Sequence, residues 1–162
     1  MKNTYFVYAN SNPLSQEIKE KILVSLKDEY VLDEENPSLV ISVGGDGTFL
    51  RAVRKYIDKL DKVIFTGIKT GKLGFLCDFS SDEYQTFISL LKGGKYGISS
   101  HRLVSLKSPY FSSFFVNEAR VEKIFDTLTC DLYINDEKIE TFRGNGFNVA
   151  TSLGSTAYNR SL

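Results

Sequence analysis

The short apolar run Leu39-Val40-Ile41-Ser42-Val43 passes without a break into Gly44-Gly45-Asp46-Gly47-Thr48. Phe49, Ala52, Val53, Tyr56, Ile57 and Leu60 then recur at helical spacing, with Arg51, Arg54, Lys55, Asp58 and Lys59 on the opposite face. An apolar, β-branched run of this length is the pattern of a strand covered on both faces, the usual state of a parallel strand, and the spacing that follows is that of an amphipathic helix. Strand, glycine turn and helix in direct succession point to an α/β domain with the turn at the carboxyl end of a central strand.

Open α/β sheets bind ligands outside the carboxyl ends of their strands. Three glycines there permit positive φ and close approach of a phosphate, and the first N–H groups of the next helix supply donors. Asp46 is the discordant member. Its charge repels a phosphate unless it binds a hydroxyl, takes a proton or holds a metal, which points to chemistry. From the residues alone a second reading stands beside this one: the glycines only turn the chain and Asp46 caps the helix at Thr48.

The chain has 162 residues, enough for one domain, or one domain and part of a second. Its 20 Lys+Arg balance its 20 Asp+Glu and no basic run occurs, which argues against nucleic acid and membrane surface as partners. Cys77, Cys130 and the single His101 do not make a zinc set, and reduced thiols in a cytoplasmic protein are expected. The amino terminus leads directly into a strand, so no secretory peptide is expected, and no apolar run approaches membrane-spanning length.

Taken in order, Thr4 to Tyr8 predicts the first strand, and Asn12-Pro13 caps a helix whose stripe is Ile18, Ile22, Leu23 and Leu26. Tyr30-Val31-Leu32 predicts a short strand before the polar linker 33–37. Val63 to Ile68 predicts a further strand leading into Thr70-Gly71-Lys72-Leu73-Gly74-Phe75, a second glycine loop at the same end of the sheet. Phe75 there suits a platform for a flat ring, or ordinary core. Ser80 and Glu83 have capping-box spacing ahead of a third helix, with Tyr84, Phe87, Ile88 and Leu91 as its stripe and Gly93-Gly94 as its stop. The expected fold is an α/β amino-terminal, three-layer domain with a mostly parallel sheet over residues 1–98, followed by an antiparallel all-β domain over 99–162. The second half carries strand-like runs at Leu103 to Lys107, Phe111 to Val116, Ala119 to Phe125, Leu128 to Ile134 and Lys138 to Glu140, with a turn at Asn135-Asp136. Because Gly154 to Tyr158 opens a new element just before the end at Leu162, the β domain is expected to be incomplete in this chain.

Five segments in order carry a resemblance: Gly44-Gly45-Asp46-Gly47-Thr48, Thr70 to Phe75, Asn117-Glu118-Ala119-Arg120-Val121, Arg143-Gly144-Asn145-Gly146, and Gly154-Ser155-Thr156-Ala157-Tyr158-Asn159. The first alone is shared with phosphofructokinases and with diacylglycerol and sphingosine kinases. Together they resemble the NAD kinases, also called ATP-NAD or polyphosphate/ATP-NAD kinases. The resemblance implies transfer of the γ-phosphoryl of ATP or polyphosphate to the 2′-hydroxyl of the adenosine ribose of NAD, making NADP. It implies Asp46 as the residue that accepts or orients the hydroxyl proton. It places Gly44, Gly45, Gly47, Thr48 and Lys72 toward phosphate or ATP. Toward NAD it places Asp46, Gly47, Phe75, Asn117, Glu118, Asn145, Thr156, Ala157, Tyr158 and Ser161. Mg²⁺, or another divalent cation, is expected to arrive with ATP rather than on a protein cage, and the full-length form is expected to be a homo-oligomer, dimer or tetramer. Asn145 stands where the family usually has aspartate, and Ser152-Leu153 replaces the usual proline and small hydroxyl residue. A lipid kinase of the diacylglycerol type and a dinucleotide-binding module without turnover are the competing readings.

Overall fold

The computed structural model describes residues 3–72 and 74–161, and the chain divides into two compact units, Met1–Ser100 and His101–Leu162. Leu73 of the second glycine loop lies outside the described residues.

The first unit runs β1 (Thr4–Ala9), α1 (Pro13–Leu26), β2 (Val31–Leu32), β3 (Leu39–Gly44), α2 (Asp46–Lys55), β4 (Ile64–Lys69), β5 (Phe79–Ser80) and α3 (Tyr84–Lys92). Its five strands pair in parallel in the order β2-β1-β3-β4-β5. Successive side chains of a strand point to opposite faces. Tyr5, Val7, Ile41, Val43 and Ile68 therefore meet Ile18, Ile22 and Leu26 of α1 and Phe87 and Leu91 of α3. On the other face Val40, Phe6, Tyr8 and Phe65 meet Ala52 of α2, Tyr56 and Val63. Helices cover both faces, which makes the three layers expected from the alternating pattern. Each fully buried branched side chain of this core, such as Ile22, Ile41 or Ile68, contributes about 1.5–3 kcal/mol by leaving water.

The order of the strands locates the reactive end. From β1 the chain crosses by α1 on one face to β2; from β3 it crosses by α2 on the other face to β4. The direction of winding reverses between β1 and β3, and the carboxyl ends of those neighbours form the crevice at which such sheets bind ligands. The turn after β3 sits there.

Three local expectations need correction in this unit. The second helix ends at Lys55, not Leu60: Tyr56 leaves helical geometry at φ −111° and ψ 29°, and one turn of 3₁₀ helix covers Ile57–Lys59. The cause is tertiary. The Tyr56 ring is buried beside Phe6 and Phe65, and its hydroxyl donates to the Glu34 carbonyl at 2.7 Å. The two-residue strand β5, too short to give a periodic signal, was not anticipated, and the second strand is shorter than Tyr30 to Leu32. The caps agree with the sequence: Asn12 accepts from Leu14 N–H at 3.0 Å, and Ser80 with Glu83 forms a capping box.

The second unit holds three antiparallel pairs: β6 (Val104–Lys107) with β7 (Ser112–Phe115), β8 (Glu118–Glu122) with β11 (Gly146–Ala150), and β9 (Leu128–Ile134) with β10 (Glu137–Gly144). Asn135 and Asp136 carry φ of 51° and 65°, the mirror-image turn that suits a two-residue hairpin. The strand expected through Phe125 stops at Glu122, after which the chain bends, with Phe125 95% exposed. β11 was not anticipated, because its opening glycine follows Gly144 and Asn145 and reads as loop; a side chain at Gly146 would run into Glu122 and the Val121 carbonyl. Among the described residues of this unit only Thr151 and Gly154 are buried. No described helix is long and apolar enough to cross a membrane.

Candidate functional site

At the end of β3 one of the three glycines is obligatory. Gly44 has φ +157°, and a Cβ there would lie 2.7 Å from Thr48 Cβ and 2.8 Å from Asn10 Nδ2. Gly45 and Gly47 do not use the positive φ that a glycine permits. Their role is spatial: around a Cβ at Gly45 nothing lies within 4 Å, and at Gly47 only the Arg51 guanidinium approaches, at 3.9 Å. The start of α2 is thus left uncluttered, as close approach of a phosphate requires. Thr48 is buried; its amide donates to the Gly45 carbonyl at 2.8 Å, and its hydroxyl accepts from Asn10 Nδ2 at 3.3 Å and Arg51 Nη2 at 3.4 Å. It shapes the turn from within.

Asp46 is the first residue of α2, and the cap position, Gly45, has no side-chain cap bond. The helix-cap reading of Asp46 is therefore overturned. Its carboxylate reaches across to the loop after β4, where Oδ2 accepts from Phe75 N–H at 2.8 Å and Oδ1 from Leu76 N–H at 3.0 Å. A Cβ at Gly74 would stand 2.9 Å from Oδ1, so the missing side chain lets the loop come this close. The two glycine loops are joined again where Thr70 N–H donates to the Gly44 carbonyl at 3.1 Å, and the Thr70 hydroxyl meets Ser15 Oγ at 2.7 Å. A carboxylate offers about four acceptor positions, of which these amides take two. The group is held in one orientation and still has room to accept from a hydroxyl.

Phe75 is 80% exposed, which removes the core reading for this ring, and Lys72 is exposed on the same loop. Behind the loop, burial and then the charges of Asp46 and Asp78 push the Cys77 thiol up to about 11, against a smaller opposing effect of Lys69. A thiol in that condition stays protonated and unreactive at neutral pH. Among the described residues no group of three or more His, Cys, Asp or Glu side chains could hold a metal ion.

In the second unit Asn117 precedes β8 and Glu118 opens it, opposite Ala150. The segment after β11 folds back onto this point: Thr151 N–H donates to the Asn117 carbonyl at 2.8 Å, Gly154 N–H donates to Thr151 Oγ1 at 3.0 Å, and the Thr151 hydroxyl donates to the Val116 carbonyl. Any side chain at Gly154 would collide with the Asn117 carbonyl, which accounts for the glycine. Thr156 ends one turn of 3₁₀ helix (Gly154–Thr156), Ala157 links it to a second (Tyr158–Ser161), and Ser161 Oγ donates to the Tyr158 carbonyl at 2.6 Å. Asn117 Oδ1 and Glu118 Oε2 are buried without a hydrogen-bond partner. Asn145 lies apart from this group, lining an open pocket with the 122–127 bend, and its carbonyl accepts from Lys123 N–H at 2.9 Å.

Several contributors escaped the sequence reading. The Leu76 amide and the space at Gly74 work through backbone and leave no side-chain signature. Asn10 had a usable one, an amide residue directly after β1 at the switch point.

The family model described as "ATP-NAD kinase N-terminal domain" matches residues 11–96. The chain belongs to the ATP-NAD kinase family. An NAD kinase of Pediococcus pentosaceus is 37% identical over 162 residues, covering 96% of this chain and 60% of the relative; one of Streptococcus gordonii is 39% identical, covering 100% and 62%. Among solved structures, yeast NADH kinase complexed with NADH superposes with a TM-score of 0.82 at 18% identity, over 98% of this chain and 60% of that one. An NAD kinase from Archaeoglobus fulgidus in complex with ATP gives 0.76 at 25% identity, over 98% and 64%. These likenesses agree with the α/β unit and antiparallel strand pairs described above. The chain spans about 60% of the length of these curated relatives.

Proposed function

We propose that the full-length protein transfers the γ-phosphoryl group of ATP, or of polyphosphate, to the 2′-hydroxyl of the adenosine ribose of NAD, producing NADP. Family membership supports the reading, and one observation carries it: the carboxylate at the switch point is fixed by two backbone amides with acceptor capacity left over. In the reaction the ribose oxygen forms a bond to the γ-phosphorus as the bond from that phosphorus to the β,γ-bridging oxygen breaks, and the hydroxyl proton leaves toward Asp46. Little covalent work falls to the protein in such a loose transition state; alignment and charge stabilisation do most of it.

The roles divide between the units. In the first, the open backbone at Gly45 and Gly47 and the amides opening α2 receive phosphate oxygens, with Lys72 as an exposed counter-charge and Phe75 as an exposed face for the dinucleotide. In the second, the buried acceptors of Asn117 and Glu118 suit the amine and hydroxyl donors of an adenosine, enclosed by Thr156, Ala157, Tyr158 and Ser161. Asn145 supplies a neutral amide where a carboxylate is usual, which weakens any contact it makes to the dinucleotide. A divalent cation carried on the phosphates of ATP supplies neutralisation of charge when bound. A cytoplasmic location and a homo-oligomeric full-length form belong to the same reading and rest on the resemblance.

The test is to offer the full-length protein ATP labelled in the γ-phosphate together with NAD and, separately, diacylglycerol, and to repeat it with polyphosphate as donor. Label in NADP supports the proposal. Label in the lipid, or in neither, overturns it.

A further inference from the structure

Directly opposite each other on β8 and β11 stand Arg120 and Asn148, whose side chains share one face of the strand pair. Each reaches one of two consecutive residues of the segment that follows. Arg120 Nη1 donates to the Tyr158 hydroxyl at 2.7 Å, and Asn148 Nδ2 donates to Asn159 Oδ1 at 3.0 Å. The Arg120 guanidinium also lies over the Tyr158 ring, 5.1 Å from its centroid, and is itself held by an ion pair to Glu122 two residues along the strand. Asn148 Oδ1 is buried without a partner, so the bond to Asn159 is what sets the orientation of that amide.

We infer that Arg120 and Asn148 are positioning residues that latch the 156–161 segment onto the β8–β11 pair, and that Arg120 closes one face of the Tyr158 ring and leaves the other as the face on which a flat base stacks. The inference rests on the reading of this segment as part of a dinucleotide site. Its chemistry is separate from phosphoryl transfer: neither residue touches reacting atoms. A guanidinium stacked on one side of a phenol makes the ring rigid, and a rigid aromatic surface binds a base with less loss of freedom. Tyr158 is 45% exposed, so a second face is open to a ligand.

The experiment measures NAD binding by calorimetry and steady-state NADP formation in the full-length protein. Arg120→Met keeps stem length but removes donor and charge; Asn148→Leu removes the second donor. The expected result is a rise of about fivefold in both Kd and KM for NAD with Arg120→Met and about threefold with Asn148→Leu, with smaller changes in kcat, as suits half-exposed polar pairs. Arg120→Lys should return Kd to within about twofold, because a cation remains over the ring. Tyr158→Phe combined with Arg120→Met should cost no more than Arg120→Met alone, since both remove the same bond. If Arg120→Met does not fold, Tyr158→Phe against Arg120→Lys gives the same comparison. Unchanged Kd in Arg120→Met and Asn148→Leu, in a protein whose wild type binds NAD, overturns the latch alone. Failure of the wild type to bind NAD overturns the reading of the site and the latch with it.

Discussion

Replacing Asp46 by Asn tests whether the carboxylate holds the loop after β4. In the native arrangement its two oxygens each accept one amide, Phe75 N–H at 2.8 Å and Leu76 N–H at 3.0 Å. The substitution turns one oxygen into an NH₂ donor, which then faces an N–H donor, and takes the charge from the remaining bond. A hydrogen bond to a charged group is worth about 1.5–3 kcal/mol net, and partial exposure of these two puts the loss nearer 1–2 kcal/mol. At about 1.4 kcal/mol per factor of ten, the ratio of closed to open loop falls about 5- to 30-fold. Native-state amide exchange reads this directly. The Phe75 and Leu76 amides should exchange faster by that factor, whereas amides of the paired strands β3 and β4, such as Ile41 and Ile68, should keep their rates. Unchanged exchange at Phe75 and Leu76, or equal acceleration throughout the sheet, would refute the idea that Asp46 acts as a local tie.

Other consequences follow from the same geometry. Gly74→Ala places a methyl 2.9 Å from Asp46 Oδ1 and should displace the loop or the carboxylate, lowering NADP formation by the full-length protein about tenfold with little change in thermal midpoint; wild-type activity would contradict the close approach. Stability should decline in alkali in a defined window. Burial raises Cys77 from 9.0 to about 11 and Tyr56 from 10.0 to about 12, so the unfolded chain ionises first. The stability held below pH 9 is therefore lost as the pH rises toward about 11 for Cys77, and between about 10 and 12 for Tyr56, which urea midpoints across pH 8–12 should show. With Cys130 replaced by Ser, alkylation of Cys77 by iodoacetamide should be slow at pH 8 and climb steeply toward pH 11; fast reaction at neutral pH would contradict the upward shift of this half-buried thiol.

Much of the first unit was legible because its signals are local and agree with one another. An unbroken apolar run at 39–43, an Asn-Pro cap at 12–13 and a Ser-x-x-Glu box at 80–83 each specify an element through its own residues. The failures share a cause. Tyr56 has nothing in its sequence neighbourhood to end a helix; the ring is drawn into contact with Phe6 and Phe65, residues distant in the chain, and that contact overrides helical spacing. β11 was hidden because Gly144, Asn145 and Gly146 read as a turn, while the reason for glycine at 146 is the strand lying against it. At the site, side chains were visible and their partners were not. Asp46 could be picked out as an anomalous charge among glycines, but its bonds to the Phe75 and Leu76 amides depend on how β3 and β4 lie side by side. The latch of Arg120 and Asn148 was illegible for the same reason, since the register that sets them opposite each other is a property of pairing, not of either strand.

The most direct trial of the account is the rate of NADP formation from NAD and ATP by the full-length protein, compared with its Asp46→Ala variant at equal NAD occupancy. The account predicts that the wild type makes NADP and that the variant loses about 10²- to 10⁴-fold in turnover, the usual scale for removing a group that handles the reacting proton. Turnover by the variant within a few fold of the wild type would contradict it.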